Sequence, residues 1–96
     1  MTRRTVFKFR LYVAADTQNS VQAVANLKAI CRSHLGGRYD LEIVDVFKEP
    51  KRALAEEIRM TPTLLVLAPL PLRRIVGALS HTHQVLEMLG VATDAA

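Results

Sequence analysis

Between Thr5 and Val13 the chain alternates without a break: Phe7, Phe9, Leu11 and Val13 on one side, Val6, Lys8, Arg10 and Tyr12 on the other. Such a period of two predicts a β-strand with one thoroughly apolar face, which something else in the chain must cover. The next segment supplies the cover. Ser20 or Asn19 can cap a helix in which Val21, Val24, Leu27, Lys28, Cys31 and Leu35 recur at three- and four-residue spacing, and Gly36-Gly37 stops it. Tyr39–Phe47 then predicts a second strand, with Leu41 and Ile43 on one face and Val44 and Val46 at its end. Strand, helix and strand in that order imply a right-handed crossover and a parallel pair. With 96 residues and half of them hydrophobic, the chain has material for one such domain, expected to span 1–96 with a core at about 5–90.

The second half carries conflicting signals. Pro50 suits the first turn of a helix running through Ala53, Leu54 and Ile58. Thr63–Ala68 is short and β-branched enough for a buried strand, yet its three leucines also suit a helix. Leu72, Ile75, Val76 and Leu79 fall on one helical face opened by Pro71, while Ile75 and Val76 fit a strand equally well. Ser80–Gly90 reads as a capped helix with Val85, Leu86 and Leu89 inward, or as a strand with mixed faces. Contradictory local signals of this kind mark strain, function or more than one fold.

Several chemistries are excluded. Cys31 is the lone cysteine, so an internal disulfide, a CxxC redox pair and a CxxC…CxxC zinc site are ruled out, and its place on the apolar helix face predicts a packed core thiol. His81 and His83 would not face each other on a helix, and His34 stands apart, so no metal site is expected. Asp16, Glu42, Asp45, Glu49, Glu56 and Glu57 form no acid–base pair with a nucleophile, and no glycine loop cradles a phosphate; neither catalytic residues nor a cofactor are expected. The net charge of +4 is dispersed, and the alternation puts Phe7 and Phe9 opposite Lys8 and Arg10. That argues against nucleic acid and for an acidic protein partner. The longest apolar run, Leu64–Leu72, is broken by two prolines and too short to span a membrane; the start leads into no signal-peptide core, so a cytoplasmic location is expected.

Met60-Thr61-Pro62-Thr63, after a βαβα pattern and before an apolar run, resembles the cis-proline loop of thioredoxin-like domains. The place of their CxxC reads Asp16-Thr17-Gln18-Asn19-Ser20, without sulfur, so thiol–disulfide exchange has neither attacking nor resolving thiol. Leu11-Tyr12-Val13-Ala14, then Thr17-x-Asn19-Ser20-Val21, Val44-Asp45-Val46-x-Lys48-x-Pro50, Thr61-Pro62-Thr63-Leu64 and Pro69-x-Pro71-x-Arg73-Arg74-Ile75-x-Gly77-x-Leu79-Ser80 together closely resemble the KaiB family of circadian-clock proteins. The resemblance spans roughly Thr5–Leu89. It implies a non-enzymatic, metamorphic α/β protein with two folds: a ground state, βαββααβ, that forms a homo-oligomer (dimer or tetramer), and a monomeric thioredoxin-like state, βαβαββα. This chain is expected to lean toward the thioredoxin-like state more than clock members do. The resemblance also implies that this state binds the ring ATPase KaiC, in competition with a sensor histidine kinase, and captures KaiA.

Departures from the clock pattern refine these expectations. The family's Gly-x-Asp of the last segment is Met88-Leu89-Gly90 here, and methionine for a mid-helix glycine favours that helix by ~0.8 kcal/mol, roughly fourfold in population. Pro62, Pro69, Pro71, Met88 and Gly90 are therefore the candidate fold-switch positions. Acidic Glu57 and Glu42 stand where the family carries basic residues, and an acidic tail is missing, which argues against a KaiA-type partner. The expected docking surface for a KaiC-like ATPase is the second helix and its flanks: Lys48, Lys51, Ala53, Glu56, Glu57 and Arg59. The pathway is a circadian or a simpler timing or stress pathway. The rival reading is a thioredoxin-like sensor module of a histidine-kinase signalling system; a thiol-dependent enzyme is the more distant one.

Overall fold

A computed structural model describes residues 6–91. The elements run β1 (Phe7–Val13), α1 (Gln18–Ile30) continued by a π-helical turn (Cys31–Leu35), β2 (Tyr39–Asp45), α2 (Pro50–Ala55), β3 (Thr63–Ala68), β4 (Arg73–Val76) and α3 (Thr82–Leu89). The order is βαβαββα, the thioredoxin-like arrangement. The ambiguous segments at Thr63–Ala68 and Arg73–Val76 are strands, and Ser80–Gly90 holds a helix. The sheet order is β2-β1-β3-β4. β1 pairs parallel with β2, Leu11 opposite Ile43, and antiparallel with β3, Leu11 opposite Leu64; β3 and β4 are antiparallel.

The strand period divides the interior in two. Phe7, Phe9, Leu11 and Val13 join Leu64, Val66 and Ile75 beneath α1 and α3, which contribute Ala23, Leu27, Ile30, Val85, Leu86 and Leu89. On the other face Tyr12, Val44 and Leu65 pack with Ala53 of α2 alone, flanked by Val46, Ile58 and Leu67.

Boundaries and faces differ from expectation where tertiary packing outweighs local pattern. α1 begins at Gln18 after Thr17, not at Ser20 or Asn19. The Ser20 hydroxyl instead turns inward and accepts a 3.0 Å hydrogen bond from the Ala14 N–H, which ties the loop to the helix. The inward stripe is Ser20, Ala23, Leu27 and Ile30, leaving Val21 half exposed. Leu35 would sit about 80° off the direction of Leu27 in a straight α-helix, and the wider π turn brings it back into the core. α2 ends at Ala55, so Ile58 lies beyond it, and Leu54 points to solvent. β2 stops at Asp45, short of the expected Phe47.

α3 ends as its sequence indicates. Gly90 takes the left-handed conformation (φ 74°), its N–H bonds the Glu87 carbonyl and the Val91 N–H bonds that of Leu86, a Schellman closure.

Candidate functional site

The start of α1 is where thioredoxin-like enzymes carry their thiols. Here it borders an open apolar hollow of about 480 Å³ lined by Val13, Ala15, Asp16, Val21, Val24 and Ile43. Cys31 lies away from it, fully buried, and burial pushes its thiol up to about 11, so it stays protonated at neutral pH. The peptide bond before Pro62 is cis, as are those before Pro69 and Pro71. Pro62 is buried at the entry to β3, whereas Pro69 and Pro71 flank exposed Leu70. Met88 is partly exposed on α3 and Gly90 closes that helix. His83 pairs with Glu87 one turn on, at 3.0 Å. Among the described residues, no group of three or more His, Cys, Asp or Glu side chains could hold a metal ion.

The charged chemistry gathers on the α2 face. Alternation in β1 puts Arg10 and Tyr12 on that side, and the parallel register sets Arg10 opposite Glu42. Arg10 bonds Glu42 through Nε (2.8 Å) and Glu56 through Nη1 (2.7 Å). Arg52, one turn into α2, grips both oxygens of Glu42 at 2.8 and 2.9 Å and reaches Glu49 at 3.3 Å. The buried Tyr12 hydroxyl donates to the Glu56 carboxylate. A planar guanidinium matched to a carboxylate in this two-point fashion fixes orientation as well as charge. The network ties β1, β2 and α2 together.

Its electrostatics follow. Hydrogen bonds from Arg52, then Arg10, pull the Glu42 carboxyl down to about 2. Burial raises Glu56, but the Tyr12 and Arg10 hydrogen bonds outweigh it and hold the group below its usual range. Burial, with Glu56 as acceptor, pushes the Tyr12 hydroxyl up. Depressed carboxylates stabilise the fold above their unfolded pKa and lose that contribution as pH falls through the folded one. The urea midpoint is therefore expected to hold down to about pH 4.5 and to decline toward about pH 2. Glu42→Gln should lower the midpoint at neutral pH and flatten that decline. An identical profile for the variant would show that the pair contributes nothing.

α2 itself ends under constraint. Glu57 occupies the left-handed region (φ 56°), a position glycine usually takes and one that costs a residue with a side chain roughly 1–2 kcal/mol. The Glu57 N–H bonds the Leu54 carbonyl (3.1 Å) and the Ile58 N–H that of Ala53 (2.9 Å), again a Schellman closure, with Ile58 and Ala53 sharing one apolar cluster. From β4, Arg74 donates to the carbonyls of Glu56 (2.9 Å) and Glu57 (3.2 Å).

The six expected docking residues separate. Lys48, Lys51, Glu57 and Arg59 are exposed along α2 and its flanks. Ala53 is buried under the helix, and the Glu56 carboxylate faces Tyr12 and Arg10, so their side chains serve the interior. Sequence reasoning missed Phe47, Leu54 and Met60, which are 72, 80 and 63% exposed beside these charges. The signal for Leu54 was present: a residue next to inward Ala53 is turned about 100° around the helix. Arg52 and Arg74 were also missed, because Glu42 lies 10 residues from Arg52 and the Glu56 and Glu57 carbonyls lie 18 and 17 residues from Arg74.

A thioredoxin-like sheet with a cis-proline entry and no thiol at the start of the first helix defines a thioredoxin-fold domain. Solved structures share that architecture: chloroplastic thioredoxin z (TM-score 0.75, 21% identity, covering 91% of this chain and 78% of that one) and the N-terminal domain of Synechococcus elongatus SasA (TM-score 0.73, 19% identity, 93% and 84%). The chain belongs to the KaiB family, since residues 10–91 match the KaiB domain. It is 44% identical over 85 residues to the circadian clock protein KaiB3 of Synechocystis sp., covering 88% of this chain and 83% of that protein. It is also 44% identical over 86 residues to the circadian clock oscillator protein KaiB of Synechococcus elongatus, at 90% and 84%. These relatives support a clock-related role. No helix among the described residues is long and apolar enough to cross a membrane.

Proposed function

We propose that the chain is a non-enzymatic adaptor that docks on a KaiC-like ring ATPase through the outer face of α2 and its flanks, in a circadian or simpler timing or stress pathway. One observation carries the reading: Phe47, Leu54 and Met60 stand exposed among Lys48, Lys51 and Arg59, while Arg10 and Arg52 engage the nearby carboxylates of Glu42, Glu49 and Glu56. Exposed apolar side chains flanked by three basic residues and one acidic one, Glu57, fit a protein surface that carries mainly acidic groups. A sensor histidine kinase competing for the same ring is the second expected participant. The thioredoxin-like arrangement is the docking-competent one in this reading.

The test is co-elution of the full chain with the KaiC-like ATPase of its own genome, held in each nucleotide state. Leu54→Asp and Lys51→Glu are expected to weaken capture about tenfold or more without lowering the urea midpoint. Wild-type chain that co-elutes in no nucleotide state defeats the reading.

A further inference from the structure

The consecutive arginines of β4 point to opposite faces of the sheet, because Arg74 stands opposite Leu65 of the α2-side cluster and Arg73 opposite Val66 of the other. Each closes a helix on its own side. Arg73 donates to the carbonyl of Met88 in the last turn of α3 (2.6 Å) and to that of Pro69 (3.0 Å). Arg74 holds the Glu56 and Glu57 carbonyls at the end of α2. The final carbonyls of a helix lack partners within the helix and carry partial negative charge, so a fixed cation there both satisfies and orients them.

We propose that Arg74 is a positioning residue for the α2 docking face. Its guanidinium, anchored in the edge strand, fixes the left-handed turn at Glu57 and thereby the direction in which Lys51, Leu54 and Glu57 are presented. The proposal rests on the reading of α2 as the docking helix. α2 is only six residues long and contributes a single buried side chain, Ala53; the Glu56 carboxylate ties its end to Tyr12 and Arg10, and Arg74 holds the backbone carbonyls of the turn itself. Arg74 therefore makes the placement of β4 a condition for the geometry of a surface carried by another element. Arg73, one residue away, has no such reach, since it holds the Met88 carbonyl of α3 and the Pro69 carbonyl of the β3–β4 connection, and neither belongs to α2.

The test compares Arg74→Ala, Arg74→Lys and Arg73→Ala in the full chain by amide hydrogen exchange at Glu57 and Ile58 and by affinity for the KaiC-like ATPase. Arg74→Ala is expected to speed exchange at both amides at least tenfold and to weaken affinity about tenfold. Arg74→Lys, a point charge that cannot span two carbonyls, should restore only part of each and guards against a variant that fails to fold. Arg73→Ala should leave both readouts near wild type. Unchanged exchange in Arg74→Ala, or an equal loss of affinity in Arg73→Ala, overturns the proposal. Failure of the docking reading looks different: Lys51→Glu and Leu54→Asp would retain full affinity while exchange at Glu57 still responded to Arg74.

Discussion

Leu11→Ala is expected to remove about 3 kcal/mol of stability, within the ~2–5 kcal/mol range for truncating a buried leucine. Leu11 is fully buried at the centre of β1, the strand that pairs on both sides, opposite Ile43 and Leu64. No neighbour can collapse into the space without breaking that register, so the cavity persists. A domain of this size holds only ~5–10 kcal/mol in total, and the loss is a large part of it. Urea unfolding followed by circular dichroism measures the change. Leu54→Ala, on the 80% exposed side chain, should stay within about 0.5 kcal/mol of wild type. Near-equal midpoints for the two variants would contradict the core assignment.

Glu56→Ala should cost about 2 kcal/mol, far more than an exposed charge on a short helix. The substitution strips the buried Tyr12 hydroxyl of its acceptor and Arg10 of one of its two carboxylates. A double-mutant cycle with Tyr12→Phe isolates the contact. Removing the hydroxyl should be clearly less costly once Glu56 is gone, with a coupling of about 1 kcal/mol. A Glu56→Ala variant within about 0.5 kcal/mol of wild type would return Glu56 to the solvated docking face.

The parts of the fold that were legible are those where period and burial agree. β1 buries the apolar face read from Phe7, Phe9, Leu11 and Val13, although Tyr12 on the other face is buried as well, and α3 buries Val85, Leu86 and Leu89 before a glycine stop. β4 was not legible as such. Four residues at an edge carry too little pattern, and Ile75 and Val76 suit either secondary structure until β3 supplies a partner. The exposed side of α2 and its flanks was legible as a region and not residue by residue. Lys48, Lys51, Glu57 and Arg59 are exposed, but Ala53 and Glu56 turn inward because the direction of a short helix is set by what lies beneath it. Arg10 and Glu42 illustrate the general limit, since their pairing depends on the crossover that brings β2 beside β1.

The unequal cover on the two sides of the sheet has a consequence for motion. One side is sealed by two amphipathic helices, the other by a single short helix with few apolar contacts and a rim of ion pairs. Subglobal opening begins where the least buried area must be exposed, so α2 can lift while the larger layer stays shut. Anything that settles on this helix acts as a second roof, and its grip is felt first as slower breathing beneath.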